Sequence, residues 1–191
     1  MKKETVLGMV VALLVGVLGG YLIFSISTQK ENPAVSGALP VGGGSPTDYQ
    51  SRIAEAEKIV AKEPRNVQAW IQLGNDYYDT EQPQKAISAY SKALELNPTN
   101  TSVLTDQGVM FRRVGWYDKA IANFEKAQSI DPTHLQSLYN LGVVYAEDLK
   151  QPDKAIQAWT RYLALDSISP TAQQIKRMVD ELKAMPATNK K

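Results

Sequence analysis

From Val67 onward, apolar positions recur at helical spacing in paired segments, and the pairs themselves repeat. Trp70, Leu73, Gly74 and Tyr77 lie three and four apart on a segment from Val67 to Asp79. Ala86, Ala89, Tyr90 and Ala93 do the same on a segment that opens at Pro83 and stops before Asn97-Pro98, because proline disfavours helix at the residue before it. A shift of 34 residues returns Leu104, Gln107, Gly108, Phe111, Ala120, Phe124, Ala127 and Pro132. A third pass gives Leu138, Leu141, Gly142 and Tyr145, then slips by one residue to Ala155 and Trp159. The pattern predicts three antiparallel helix pairs, at 67–100, 101–134 and 135–168, the last with one extra residue in its turn around Glu147 to Pro152. Gly74 leaves room for the partner helix, the alanines allow close approach, and the rings fill the space between successive pairs.

The flanks fit the same plan. A helix over 47–64, with Thr47 as N-cap and Tyr49, Ile53, Ala56 and Val60 on one face, reads as the second helix of a degenerate leading repeat. Ser169-Pro170 opens another over 169–185, with Ile175, Met178, Val179, Leu182 and Met185 on one face. Its wet outer side suits a cap that covers the last apolar surface of a stacked array. Residues 186–191 form a short tail.

Hydrophobicity has a different meaning at the start of the chain. Thr5 to Thr28 carries no charge, and Val6 to Ile26 as a helix would span roughly 30 Å, the thickness of a bilayer core. Residues 1–28 therefore read as a single transmembrane anchor. Lys2 and Lys3 place the N-terminus in the cytoplasm and the repeats on the periplasmic or extracytoplasmic side of the inner membrane. A cleaved signal peptide is the alternative, although its apolar region is normally only about 7 to 15 residues long. Gly8, Ala12, Gly16 and Gly20 form a ridge of small residues on which a partner helix, including one from a second copy, can pack. Residues 29–46 hold Pro33, Pro40, Pro46 and Gly42-Gly43-Gly44, the composition of a flexible tether spanning roughly 20 to 25 Å.

Charge and chemistry narrow the function. From Thr47 there are 18 basic and 18 acidic side chains, which gives no net field to attract nucleic acid. Cysteine is absent, which removes disulfides, thiolate catalysis and Cys-based zinc sites. His134 follows Pro132 in a loop, a capping or solvent position. No nucleophile motif or metal-ligand spacing occurs, so the expectation is a non-enzyme with no metal and no cofactor.

The quoted positions resemble the tetratricopeptide repeat family over about Val67 to Ser167. Every signature position of the first unit holds a family-typical residue. The second departs at Leu104 and Gln107, and the third at its insertion, Tyr162 and Ser167. The resemblance implies an all-α solenoid whose signature residues pack inward, leaving the first helix of each pair to line a concave groove. In this chain that groove would be Gln68, Ile71, Asn75, Tyr78, Thr105, Val109, Arg112, Arg113, Tyr139, Asn140 and Val143, with Arg112 and Arg113 able to meet an acidic ligand locally. Clamps for chaperone tails need lysine, asparagine, lysine and arginine where Ile71, Asp106, Gln136 and Asn140 stand, so that specialised use is not implied. Some family members with one membrane helix serve in envelope assembly or cytochrome maturation. The combined reading is a membrane-anchored scaffold for a protein or peptide partner. A structural subunit that oligomerises through its membrane helix is the alternative.

Overall fold

The computed structural model describes residues 46–185. The expected anchor at 5–28 with its ridge Gly8, Ala12, Gly16 and Gly20, the tether before Pro46 and the tail after Met185 lie outside the described residues. Among the described residues no helix is long and apolar enough to cross a membrane.

Among the described residues eight α-helices follow in order: α1 Pro46–Lys62, α2 Val67–Asp79, α3 Pro83–Leu96, α4 Thr101–Arg113, α5 Tyr117–Ile130, α6 Leu135–Val143, α7 Pro152–Leu165 and α8 Pro170–Ala184. A π-helical turn, Val144–Asp148, continues α6. Each helix packs mainly on the next, so α2–α3, α4–α5 and α6–α7 form the three pairs, with α1 and α8 on the flanks.

Side chains fix the starts of the first helices. Asn66 Oδ1 accepts from the Ala69 amide at 3.1 Å, Asn100 Oδ1 from Val103 at 3.1 Å and His134 Nδ1 from Ser137 at 3.3 Å. Each satisfies a donor that the first helical turn leaves open. Ser169 Oγ does the same for Ala172 at 3.0 Å on α8. At the head of the array the described helix α1 runs Pro46–Lys62, so Thr47 lies inside the helix instead of capping it.

Inside each pair an aromatic ring of the second helix lies flat on a glycine of the first. A Cβ placed on Gly74 would stand 2.5 Å from Tyr90 Cδ1, one on Gly108 would stand 2.9 Å from Phe124 Cδ1, and one on Gly142 would fall inside the Trp159 indole. All three rings are buried. The polar edges are satisfied: Tyr90 Oη donates to Asn75 Oδ1 at 2.9 Å, and Trp159 Nε1 donates to the Tyr139 carbonyl at 3.1 Å.

The turns between paired helices share one geometry. Glu81, Gly115 and Lys150 take φ of 54°, 76° and 53°, and the next residue's amide bonds back to the carbonyl of Tyr77, Phe111 or Tyr145 at 2.7 to 2.8 Å. The extra residue of the third repeat, expected in the turn around Glu147 to Pro152, falls inside the segment that this bond closes, which runs from Tyr145 to Gln151, and is taken up by the π-turn Val144–Asp148.

Between repeats the contacts are partly polar. Gln107, which stands where the first repeat has Leu73, is buried; its Nε2 donates to the Ile87 carbonyl at 3.1 Å and Ser91 Oγ at 2.7 Å, while Asn123 Nδ2 donates to its Oε1 at 2.8 Å. Gln128 likewise donates to Ser137 Oγ at 2.7 Å and accepts from Arg161 at 2.9 Å. On the leading side, Arg52 of α1 pairs with the fully buried Asp76 of α2, and Tyr77 Oη donates to Glu57. On the trailing side Ala172, Ile175 and Val179 of α8 are buried, whereas Met185, placed on the same face by the sequence, lies past the helix end and is exposed.

Two kinds of special backbone position give opposite expectations. Gly142→Ala should destabilise the domain by about 2 to 3 kcal/mol, because the new methyl overpacks a buried indole. Lys150→Gly should stabilise it by about 0.5 to 1 kcal/mol by releasing a left-handed lysine. Urea denaturation followed by circular dichroism checks both, and a neutral Gly142→Ala would contradict the seating of Trp159.

Candidate functional site

The face made by α2, α4 and α6 opposite their packed sides is the candidate site. Its sequence-predicted residues divide into three groups by what surrounds them.

The first group is exposed or half-buried and available. Gln68 is exposed near the start of α2, while Ile71 and Val109 are half-buried with one side against the core. Tyr78 is half-buried, and the Arg113 guanidinium lies 5.0 Å from its ring centroid, which joins the ends of α2 and α4. Tyr139 is also half-buried, packed against the core formed by the last pair and α8.

Asn75 and Arg112 are present on the face but already engaged. Asn75 accepts from Tyr90, as above. Arg112 Nε donates to Asp148 Oδ2 at 2.5 Å and Arg112 Nη2 to Glu147 Oε2 at 2.6 Å. Burial works against its charge, but the hydrogen bonds and charges of Asp148 and Glu147 outweigh that and hold the guanidinium above its ordinary pKa. The expectation that Arg112 could meet an acidic ligand is therefore corrected: the π-turn supplies two carboxylates that occupy it.

Thr105, Asn140 and Val143 form the third group, and they are buried at 1%, 7% and 6% exposure. Thr105 Oγ1 donates to the Thr101 carbonyl and Asn140 Nδ2 to the Gln136 carbonyl, so both satisfy themselves within their own helix. Their assignment to an open groove is corrected.

Two carboxylates matter more than the sequence suggested. Asp106, on α4, is half-buried and has no hydrogen-bond or ion-pair partner among the described residues. Desolvation, and secondarily the charge of Asp79, push its pKa up to about 6. Asp79 accepts a hydrogen bond from Tyr49 of α1 at 3.3 Å. Burial and nearby acids also raise the pKa of Tyr90 beneath them. The signal was present in the sequence, since Asp106 and Asp79 both fall on the groove side of their helices, but only the fold brings the two together. Trp116, 48% exposed in the α4–α5 turn, was missed altogether; a tryptophan following glycine in an otherwise polar turn was the available cue. No group of His, Asp or Glu suited to a metal ion occurs among the described residues.

This geometry defines a class of protein: an all-α repeat solenoid whose first helices present a mixed polar and aromatic face. Profiles described as tetratricopeptide repeat match residues 67–100, 102–134 and 136–166, together about half of the chain, and the chain belongs to the tetratricopeptide repeat family. It is 34% identical over 82 residues to Peroxisome biogenesis protein 5 of Arabidopsis thaliana, covering 41% of this chain and 11% of that protein. It is 33% identical over 60 residues to the Peroxisomal targeting signal receptor of Komagataella phaffii, covering 31% of this chain and 10% of that protein. The chain thus spans about a tenth of the length of these curated relatives. Among solved structures it resembles a crystal structure of MamA, with a TM-score of 0.64 and 24% identity over 72% of this chain and 84% of that one. A second MamA structure gives a TM-score of 0.60 and 25% identity, covering 72% and 78%.

The unpaired carboxylate gives a pH signature. A folded-state pKa above the unfolded value of about 3.9 means that the folded protein binds the extra proton, so Asp106 lowers stability as pH rises from about 4 to about 6. Asp106→Asn should stabilise the domain at pH 7 by about 1 to 2 kcal/mol, discounted for partial exposure, and flatten that part of the stability profile. Urea melts of both proteins between pH 4 and pH 8 measure it; parallel profiles would show that Asp106 does not titrate anomalously.

Proposed function

We propose that this chain is a protein–protein interaction adaptor, held at the inner membrane by residues 5–28, that displays its repeat array on the extracytoplasmic side. The array binds a peptide or an exposed segment of a protein partner along the α2–α4–α6 face, in the assembly of an envelope complex. The observation that carries this reading is the combination of Tyr78 stacked by Arg113 with an unpaired Asp106 beside Asp79. Asn75, Thr105, Arg112 and Asn140 are engaged within the fold, so the Tyr78–Arg113 stack and Asp106, with the exposed Gln68 and the half-buried Ile71, Val109 and Tyr139, are what remains for a partner. An aromatic anchor next to carboxylates favours an extended segment that presents a basic group and amide hydrogen bonds. The name of one relative, a peroxisomal targeting signal receptor, supports peptide recognition by such repeats. The membrane placement is supported by the uncharged N-terminal stretch and its preceding lysines.

A second reading makes the chain an oligomerising subunit, and it rests on the ridge Gly8, Ala12, Gly16 and Gly20. Cleavage of the N-terminal segment would instead release the same adaptor.

Photo-crosslinking from position 71 in intact cells, with identification of captured proteins, tests the principal reading. Tyr78→Ala should reduce capture of a specific partner about tenfold or more, as loss of an aromatic hot spot does, while Gln157→Ala on the far side leaves it unchanged. Capture that ignores Tyr78 would move the binding surface elsewhere.

A further inference from the structure

Successive helices run antiparallel, so the turns within the three pairs share one edge of the array with the start of α1 at Pro46 and the end of α8 at Ala184. Through Pro46 this edge continues into the tether and, beyond it, the uncharged apolar stretch of the sequence. On it Trp116 is 48% exposed and Met185 is 39% exposed, with Leu149 half-buried nearby. One face of Trp116 meets Phe111 at a centroid separation of 5.9 Å, and Lys119 Nζ stands 4.4 Å from its ring centroid. Lys85, Lys119 and Lys154 occupy the same place in each repeat, over the rings of Tyr77, Phe111 and Tyr145 at 5.1, 5.7 and 5.2 Å.

We propose that this turn edge rests on the lipid bilayer, with Trp116 seated in the interfacial layer and the lysine row at headgroup level. The proposal builds on the membrane-anchored reading above. Three arguments choose lipid as the occupant. The described domain begins at this edge, and in the sequence only 17 residues separate Pro46 from the uncharged stretch ending at Thr28, a length that as coil would span roughly 20 to 25 Å. Tryptophan, an apolar ring with one polar N–H, is the side chain most at home between hydrocarbon and water. At tether-limited effective concentrations, on the order of millimolar, even a weak contact is populated.

Charge is not the driving force. Glu81, Asp118, Glu147, Asp148 and Asp153 stand on the same edge as Lys85, Arg112, Arg113, Lys119, Lys150 and Lys154. The contact is therefore interfacial and depends little on anionic lipid or salt, unlike a polybasic patch. The opposite edge, with Leu96, Ile130, Leu165 and Ile168, offers aliphatic side chains and no exposed tryptophan, and it faces away.

The absence of cysteine makes the test clean. Full-length protein carrying a single Asp118→Cys or Ile168→Cys is labelled with a fluorophore and reconstituted into phosphatidylcholine vesicles containing a headgroup nitroxide lipid. Quenching should be severalfold stronger at 118 than at 168, unchanged by added phosphatidylglycerol or high salt, and reduced at 118 by Trp116→Ser. Equal quenching at the two sites, or no response to Trp116→Ser, would overturn the edge contact while leaving the anchor intact. Failure of the full-length chain to float with the vesicles would overturn the anchor, and the edge contact with it.

Discussion

The contact on which the array depends is a ring laid against a helix backbone where a side chain has been deleted. Tyr90 on Gly74, Phe124 on Gly108 and Trp159 on Gly142 bring the two helices of each pair within reach and bury the largest side chains of the interior. The seat accepts three different rings, tyrosine, phenylalanine and tryptophan. What changes is the polar edge: tyrosine reaches Asn75, tryptophan reaches the Tyr139 carbonyl, and phenylalanine needs nothing. Such an interface tolerates drift in the ring and almost none in the glycine.

The third repeat shows how strongly that contact and the turn are protected. With one residue more between glycine and ring, the chain could have deformed the turn, moved the ring, or bulged the helix. It bulges the helix. The left-handed residue and the closure onto the aromatic's carbonyl are kept, the closing bond now bridging one residue more, and the excess is taken up at Val144–Asp148. That bulge also carries Glu147 and Asp148 against Arg112 of the preceding repeat, so an insertion inside one unit becomes a tie between two.

Much of this could be read from the chain directly. Periodicity located the helix pairs, and the prolines and caps set their ends to within a residue or two, because those signals are local. The positions given to the groove were less secure. Thr105 looks like an exposed threonine in sequence and is buried in the fold; Arg112 looks like a free cation and is held by carboxylates 35 and 36 residues away. Gln107 departs from the repeat pattern yet is not a defect, since Ser91 and Asn123 complete its hydrogen bonds. Each of these depends on inter-repeat geometry, which a 34-residue pattern implies only in outline.

The same distinction bears on where recognition can reside. Buried polar groups that complete one another, as Gln107 does with Asn123 or Gln128 with Arg161, fix the register between repeats and have nothing left to offer a ligand. Asp76 is held through Oδ1 by Arg52 and Gln72 and serves to dock the leading helix, although burial still raises its pKa. Asp106 lies close by and has no such partner, so the fold bears its desolvation without return. A stability cost concentrated on an accessible face, beside a ring already stacked by a cation, is the expected mark of a group kept for an incoming partner. The scaffold residues specify the array, and the residue that works against it marks its recognition face.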